Sequence, residues 1–332
     1  MTLETATRPK GKNVLITSAG RRVSLVQYFM TAVAQASGGK VIAVDLNPPL
    51  SAACQIADMP EPICAVSDPS YVEQLLDLCL RHDISLVIPT IDTELALLAE
   101  LRNEWAQEHG INIVISDVDF VRACRNKRET AGLFTSLNIA TPKELDLDSS
   151  EFPRFVKPVG GSRSIDIHVL KNASELTEDL RNTDYYIHQE LVDTKRFREF
   201  TVDAFYDARG ALRAVVPRER LEVRDGEVSK SRTLKGALLG YLASALTNLE
   251  GAYGCITLQF FVDLADIDAP EILGIEINPR FGGGYPLTQH SGATYVDWLV
   301  NEHFTGETAD YFDGWIDGLV MLRYDAEVFI GG

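Results

Sequence analysis

Glu276-Ile277-Asn278-Pro279-Arg280 puts two oxygen donors and a guanidinium into one short stretch. The stretch closes an apolar run, EILGI, that reads as a β-strand, and successive strand side chains face opposite ways. Glu276, Asn278 and Arg280 therefore share a face while Ile277 packs inward. Carboxylate and amide oxygens are hard ligands that suit magnesium, an ion commonly shared between a few protein groups, phosphate oxygens and water. A guanidinium beside them is placed to stabilise a phosphoryl group as charge develops on it. Gln259, in the upstream strand ITLQFFVDL, adds a side-chain carbonyl to the candidate metal set. An E-x-N alone reads as a solvated strand edge. The NPRFGGG that follows argues against that, because a turn, a cation and three glycines are costly in a core strand unless the backbone must approach something.

A second group lies upstream. Lys157 sits in the apolar strand FVKPV, and a lysine embedded there needs an anionic partner, since an unpaired buried charge costs several kcal/mol on the order usual for broken ion pairs. Triphosphate is such a partner. The loop Gly160-Gly161-Ser162 that follows can wrap backbone N–H groups around phosphate oxygens, although it is not a GxxxxGK[ST] loop. Farther on, an extended segment at Gln189, Glu190 and Leu191 can offer backbone N–H and C=O groups to an adenine edge. Glu199 can accept from ribose hydroxyls. Taken singly each is bland, since acidic residues on a strand face are usually just solvated.

The order of these pieces is what makes them specific. Lys127 in RNKRET, then FVKPVGGSRS, then IHQEL with EFTVD, then Gln259 and IEINPR, resembles the ATP-grasp superfamily, and within it the carbamoyl-phosphate-synthase-like branch. VLITSAGRR, VIAVD, PTIDTEL and SGATYVDWLV extend the resemblance over nearly the whole chain. It implies a ligase that uses ATP and magnesium, with manganese as a substitute ion, to turn a carboxylate into an acyl phosphate that an amine then attacks, releasing ADP and phosphate. Lys127 and Lys157 would contact the ATP phosphates, Gly160, Gly161 and Ser162 would form a mobile phosphate loop, and Glu190 with Leu191 would border the adenine. Glu199 would hold the ribose, and Gln259, Glu276 and Asn278 would take the magnesium ions. Arg280 would stabilise the acyl phosphate. Some members carry an acidic residue where Gln259 stands.

The elements needed to position these groups are legible in hydrophobic periodicity. From residue 12 to about 115, strands alternate with amphipathic helices, the pattern of a parallel sheet covered by helices. Two helices and a glycine-bearing strand follow, with a further helix from about Ala173 to Arg181, making a small central lid over 116–185. From 186 to 332 the pattern becomes antiparallel. The expected class is thus α/β and α+β: an N-terminal parallel unit behind a flexible tail at 1–11, a lid, and an antiparallel platform, with ATP clamped between the last two. Ligands of open parallel sheets favour the carboxyl ends of the strands. That points to Arg21, Arg22, Asp45, Asp92 and Glu94 for the substrate, arginines for a carboxylate and acidic residues for an amine; helix capping and surface pairing are the plainer readings of each. Lys230, Arg232 and Arg218 are further candidates for reaching the acyl phosphate or substrate.

Composition bounds the rest. With 332 residues, 45% of them hydrophobic, the chain can organise more than one core. Its formal net charge of −17 repels nucleic acid and anionic membrane surfaces, leaving small-molecule partners and a homodimer as expectations. No apolar run approaches the ~18 residues of a membrane span, so a soluble cytoplasmic protein is expected. The five scattered cysteines read as reduced thiols. A dinucleotide-dependent oxidoreductase is disfavoured because the VLITSAGRR loop lacks GxGxxG. A carboxylate kinase, a carbamoyl-phosphate-type synthase and a non-catalytic ATP-binding regulator remain as alternatives.

Overall fold

In the computed structural model, which describes residues 11–161, 166–224, 226–266 and 268–331, the first third of the chain is an all-parallel sheet. Its strands are β1 (Asn13–Ile16), β2 (Val41–Asp45), β3 (Met59–Pro62), β4 (Ile84–Ile88) and β5 (Asn112–Ile113), in the spatial order β3-β2-β1-β4-β5. The helices between them are α1 (Val23–Ala36), α2 (Ala52–Ile56), α3 (Tyr71–Arg81) and α4 (Asp92–Glu104). Because β2 lies on one side of β1 and β4 on the other, the loops after β1 and β4 diverge and leave a crevice at their carboxyl ends. The edge strand β3 was not expected; Pro60 and Pro62 hide it from propensity, and an edge position tolerates them.

Two helices, α5 (Val118–Arg125) and α6 (Lys127–Ser136), lead into a small antiparallel sheet of β6 (Arg154–Pro158), β7 (His168–Leu170) and β8 (Tyr186–Glu190), ordered β7-β6-β8. This corrects two expectations. The small sheet runs on through β8 to Glu190 rather than ending at 185, because β8 pairs with β6. The expected helix at 173–181 is two isolated 3₁₀ turns, Ala173–Glu175 and Asp179–Arg181, whose mostly exposed residues offer little apolar surface to anchor a full helix. Ser162 and most of the expected tail lie outside the described residues.

The rest is a six-stranded antiparallel sheet of β9 (Arg198–Tyr206), β10 (Leu212–Arg224), β11 (Glu227–Thr233), β12 (Gly254–Asp263), β13 (Glu271–Asn278) and β14 (Val320–Leu322), ordered β13-β12-β9-β10-β11-β14. Helices α7 (Ala237–Leu246), α8 (Tyr285–His290) and α9 (Tyr295–Phe304) complete it. Alternation divides this sheet sharply. Phe200, Val202, Ile256, Leu258, Phe260 and Ile277 bury one face against Phe134 of α6 and Leu238, Leu242 and Leu246 of α7. On the opposite face Phe205, Val216 and Cys255 share a core with Phe29 and Val33 of α1, Val296 and Leu299 of α9, and Ile16 and Ile88 of the parallel sheet. One continuous core therefore joins the carboxyl ends of β1 and β4 to the polar end of that face. Among the described residues no helix is long and apolar enough to cross a membrane.

Candidate active site

Polar residues occupy the other end of that opposite face, and the strand register sets them side by side. Asn278 of β13 pairs with Thr257 of β12 and Glu276 with Gln259; Thr257 pairs in turn with Asp203 of β9, and Gln259 with Thr201. Thr201 pairs with Arg218 of β10. Glu276 Oε1 accepts from Gln259 Nε2 at 2.6 Å and from Asn278 Nδ2 at 2.9 Å. Gln259 Oε1 accepts from Arg220 Nη1 at 2.9 Å, and that same nitrogen is 3.2 Å from Glu199 Oε2. The expected ribose residue and the expected metal residues are thus joined in one row, Glu199–Arg220–Gln259–Glu276–Asn278, by an ion pair at its first link and hydrogen bonds at the rest. Deeper on the same face, Arg218 and Asp203 form a fully buried ion pair at 2.8 Å, and Asp203 also accepts from Thr257 and Thr288.

Two lysines close over this row. Lys127 opens α6, and its backbone N–H donates to Val159 O just past β6. Lys157 projects from β6 and is buried, with no hydrogen bond or ion pair among the described residues. Burial first, then the Lys127 ammonium, pull its pKa down to about 8, against a smaller opposing pull from Glu276. Lys127 is lowered too, mainly by burial, and Glu276 again opposes. The polar lining of the pocket beside Lys127 includes Asp92, Arg125, Lys127, Gly161, Glu276 and Asn278. Together with the two ammonium groups, Arg125 leaves a positive excess over the Glu276 carboxylate; Lys157 registers the Lys127 charge in its titration, and Lys127 registers Arg125. That excess fits a polyphosphate, and the hard oxygens of Glu276 and Asn278 beside it fit a divalent cation shared with that polyphosphate. Gly160 and Gly161 lie where β6 leaves the small sheet, and Lys127 Nζ donates to Gly161 O at 3.4 Å.

The third wall comes from the parallel sheet. Arg280 grips Asp92, at the start of α4, with two parallel bonds of 2.7 and 3.1 Å. Arg22, in the loop after β1, donates to Thr90 O at 3.1 Å; burial, with Arg280 adding, lowers its pKa to about 10. Arg22, Asp92 and Arg280 therefore meet at the crevice, next to Asn278. Arg21 is exposed and lies 3.9 Å from Glu227, and Asp45 accepts from Gly20 N–H at 2.9 Å, shaping the loop after β1.

Several expected site residues have other work. Glu94 is fully buried and accepts from Thr17, Ser18 and Tyr71 hydroxyls and the Thr90 and Ile91 N–H groups, so it locks the β4–α4 turn and has no surface for a substrate amine. Burial raises its pKa despite those bonds. Lys230 and Arg232 are corrected more firmly. Ser231 pairs with Arg220 on the cleft face, so alternation turns Lys230 and Arg232 to the opposite face, where they bind Glu222 and Glu219. Gln189 buries its side chain and donates to Pro142 O, and Glu190 spends both its N–H and its carboxylate on Lys143. Leu191 carries no such backbone bond among the described residues and is partly exposed. Arg220 was missed, although it stands two residues from Arg218 on one strand, a spacing that puts both on the same face.

Two family models match the chain: PylC-like, N-terminal domain over residues 14–114, and ATP-grasp in the biosynthetic pathway with Ter operon over residues 193–322. No curated protein matches. Among solved structures, the biotin carboxylase domain of Hydrogenobacter thermophilus 2-oxoglutarate carboxylase, in complex with MgADP, ADP and bicarbonate, is 17% identical with a TM-score of 0.71, over 94% of this chain and 73% of that one. The L-amino acid ligase of Bacillus licheniformis is 16% identical with a TM-score of 0.68, over 94% and 78%. N5-carboxyaminoimidazole synthetase of Staphylococcus aureus, complexed with ADP, is 14% identical with a TM-score of 0.65, over 93% and 79%. At these identities the likeness is one of fold.

Proposed function

The chain has the ATP-grasp fold, and we propose on that premise that it is a ligase that spends ATP, as its magnesium complex, to join a carboxylate to an amine. The observation that carries the reading is a pocket lined by Arg125, Lys127, Glu276 and Asn278, with the buried Lys157, which has no hydrogen bond or ion pair among the described residues, near enough to feel the charges of Lys127 and Glu276. Lys127 and Lys157 hold the phosphates, Gly160 and Gly161 approach them through backbone, and the small sheet with its glycine loop acts as the lid. Glu199 takes the ribose and Leu191 borders the adenine. Glu276 and Asn278 would hold magnesium, which would supply charge neutralisation to the bound phosphates.

In the chemical step a carboxylate oxygen of the substrate attacks the γ-phosphorus and the bond to the ADP oxygen breaks. The chain contributes position and charge rather than a covalent nucleophile. Asp92 fixes the plane of Arg280 so that its guanidinium meets the acyl phosphate, and Arg22 at the mouth of the crevice orients the carboxylate. The amine nitrogen then attacks the acyl carbon, phosphate leaves with the bonding pair, and the amine gives up a proton. Lid closure keeps water from the acyl phosphate.

The test is ADP release with ATP and magnesium across a panel of amino acids and small carboxylates, singly and in pairs, with mass spectrometry of the products. ADP, phosphate and a condensed product are expected only with a matched acid and amine. ATP binding without turnover on any pair would reduce the reading to nucleotide binding, and an acyl phosphate accumulating without an amine would make the protein a carboxylate kinase. Glu276→Gln is expected to abolish turnover with the fold intact by circular dichroism; full activity would remove Glu276 from the metal site.

A further inference from the structure

The hydrogen bonds around Gln259 bear on how many cations the site takes. Its side chain bridges Glu276 and Arg220: Nε2 donates to Glu276 Oε1 at 2.6 Å, and Oε1 accepts from Arg220 Nη1 at 2.9 Å. A primary amide has one donor end and one acceptor end, and here each meets its complement. Turned over, the amide would set its carbonyl oxygen against a carboxylate and its NH2 against a guanidinium. Arg220 is itself held in place. Glu199 Oε2 lies 3.2 Å from the same nitrogen, Nη2 donates to Gly226 O at 3.4 Å, and only 10% of the side chain is exposed. The oxygen that Gln259 would have to give a metal is therefore aimed at a fixed cation.

Charge leads to the same result. Along the row from Glu276 to Gln259 the side chains carry one negative charge, because Asn278 and Gln259 are neutral. Asp92, the other carboxylate lining the pocket, is bound through both its oxygens by Arg280. One divalent cation between Glu276, Asn278 and phosphate oxygens is matched by these groups. A second one at Gln259 would stand beside the Arg220 guanidinium, and the nearby carboxylate on that side among the described residues, Glu199, is already paired with Arg220.

We propose that Gln259 is a spacer and not a metal ligand, that the loaded site holds a single divalent cation, and that the Arg220 guanidinium stands where the charge of a second cation would be needed. This rests on the metal–nucleotide reading above. Arg220 then acts as a positioning residue: it orients Gln259, which presents its NH2 to Glu276 and leaves Glu276 Oε2 to the metal.

The experiment counts bound Mn2+ by electron paramagnetic resonance on the full chain saturated with a non-hydrolysable ATP analogue, with nucleotide occupancy measured in the same samples. The wild-type chain is expected to bind about one Mn2+. Gln259→Glu is also expected to bind about one, because Arg220 captures the new carboxylate. The double variant Arg220→Met, Gln259→Glu is expected to bind about two, since the carboxylate is then released to a second ion. Two ions on the wild-type chain with nucleotide bound overturn the inference and leave the proposed function standing. Two on Gln259→Glu alone, or one on a double variant whose thermal melting shows it folded, overturn the role of Arg220. The wild-type and Gln259→Glu counts decide the matter even where the double variant does not fold. A wild-type chain that binds no nucleotide sinks the proposed function itself.

Discussion

Lys157 should take up a proton when nucleotide binds. Its pKa falls from 10.5 to about 8 in the free protein because the ammonium is buried and faces Lys127. Phosphate oxygens arriving between the two lysines supply the missing anion and restore the ordinary value. At pH 8 half the chains then carry a neutral Lys157, so binding takes up about 0.5 proton there, roughly 0.1 at pH 7 and about 0.9 at pH 9. The assay is calorimetric titration with the magnesium complex of a non-hydrolysable ATP analogue, repeated in buffers of different ionisation enthalpy. The slope of apparent enthalpy against buffer enthalpy is the proton count. Affinity should weaken above pH 8, approaching about tenfold per unit where only the charged lysine binds. Lys157→Met should cut the uptake to the share that Lys127, also lowered by burial, contributes. Lys127→Met should shrink it, since losing the neighbouring charge lets Lys157 titrate higher.

The same shift gives a stability signature of opposite sign. Between pH 8 and 10.5 the unfolded chain holds the Lys157 proton and the folded chain does not, so this group makes the nucleotide-free protein more stable as pH rises through that window. Binding thus weakens with rising pH while this contribution to folding strengthens. An absence of proton uptake at pH 8 to 9, or the same uptake in Lys157→Met, would refute the placement of Lys157 against phosphate.

Arg280→Lys keeps a cation but loses the two-pronged grip on Asp92; turnover should fall by about 10²-fold or more with nucleotide affinity little changed, as read by single-turnover kinetics beside an equilibrium binding titration. Asp203→Ala leaves the buried Arg218 without its partner and should cost about 3–5 kcal/mol, read from urea unfolding; a loss under about 1 kcal/mol would show the pair to be better solvated than its burial implies.

What could be read from sequence depended on whether an interaction is local. Glu276 and Asn278 face one way because they are two apart on one strand, and Lys157 is conspicuous because it interrupts an apolar run. Both facts survive any arrangement of the neighbouring strands. The parallel sheet was legible for the same reason, except at β3, where Pro60 and Pro62 suppress the strand signal and only the edge position makes them tolerable. Glu94 looked like a substrate group because an acid after a strand is a common binding position. Five donors around its carboxylate come from residues as distant as Thr17 and Tyr71, and no local pattern announces them.

Lys230 and Arg232 show where local reading fails on a strand. Their side of the sheet is fixed by the pairing of Ser231 with Arg220, and the register between β10 and β11 shifts immediately beyond that pair. An irregularity of one residue exchanges the two faces of a strand, so a correct strand assignment carries no information about which side a cation takes. Arg220 is the converse case. The register that turns Lys230 and Arg232 away brings Arg220 between Glu199 and Gln259, two residues that sequence had assigned to different ligands. The proposed ribose end and the proposed metal end of the site are therefore one electrostatic unit, and a change of charge at Arg220 should be felt at both.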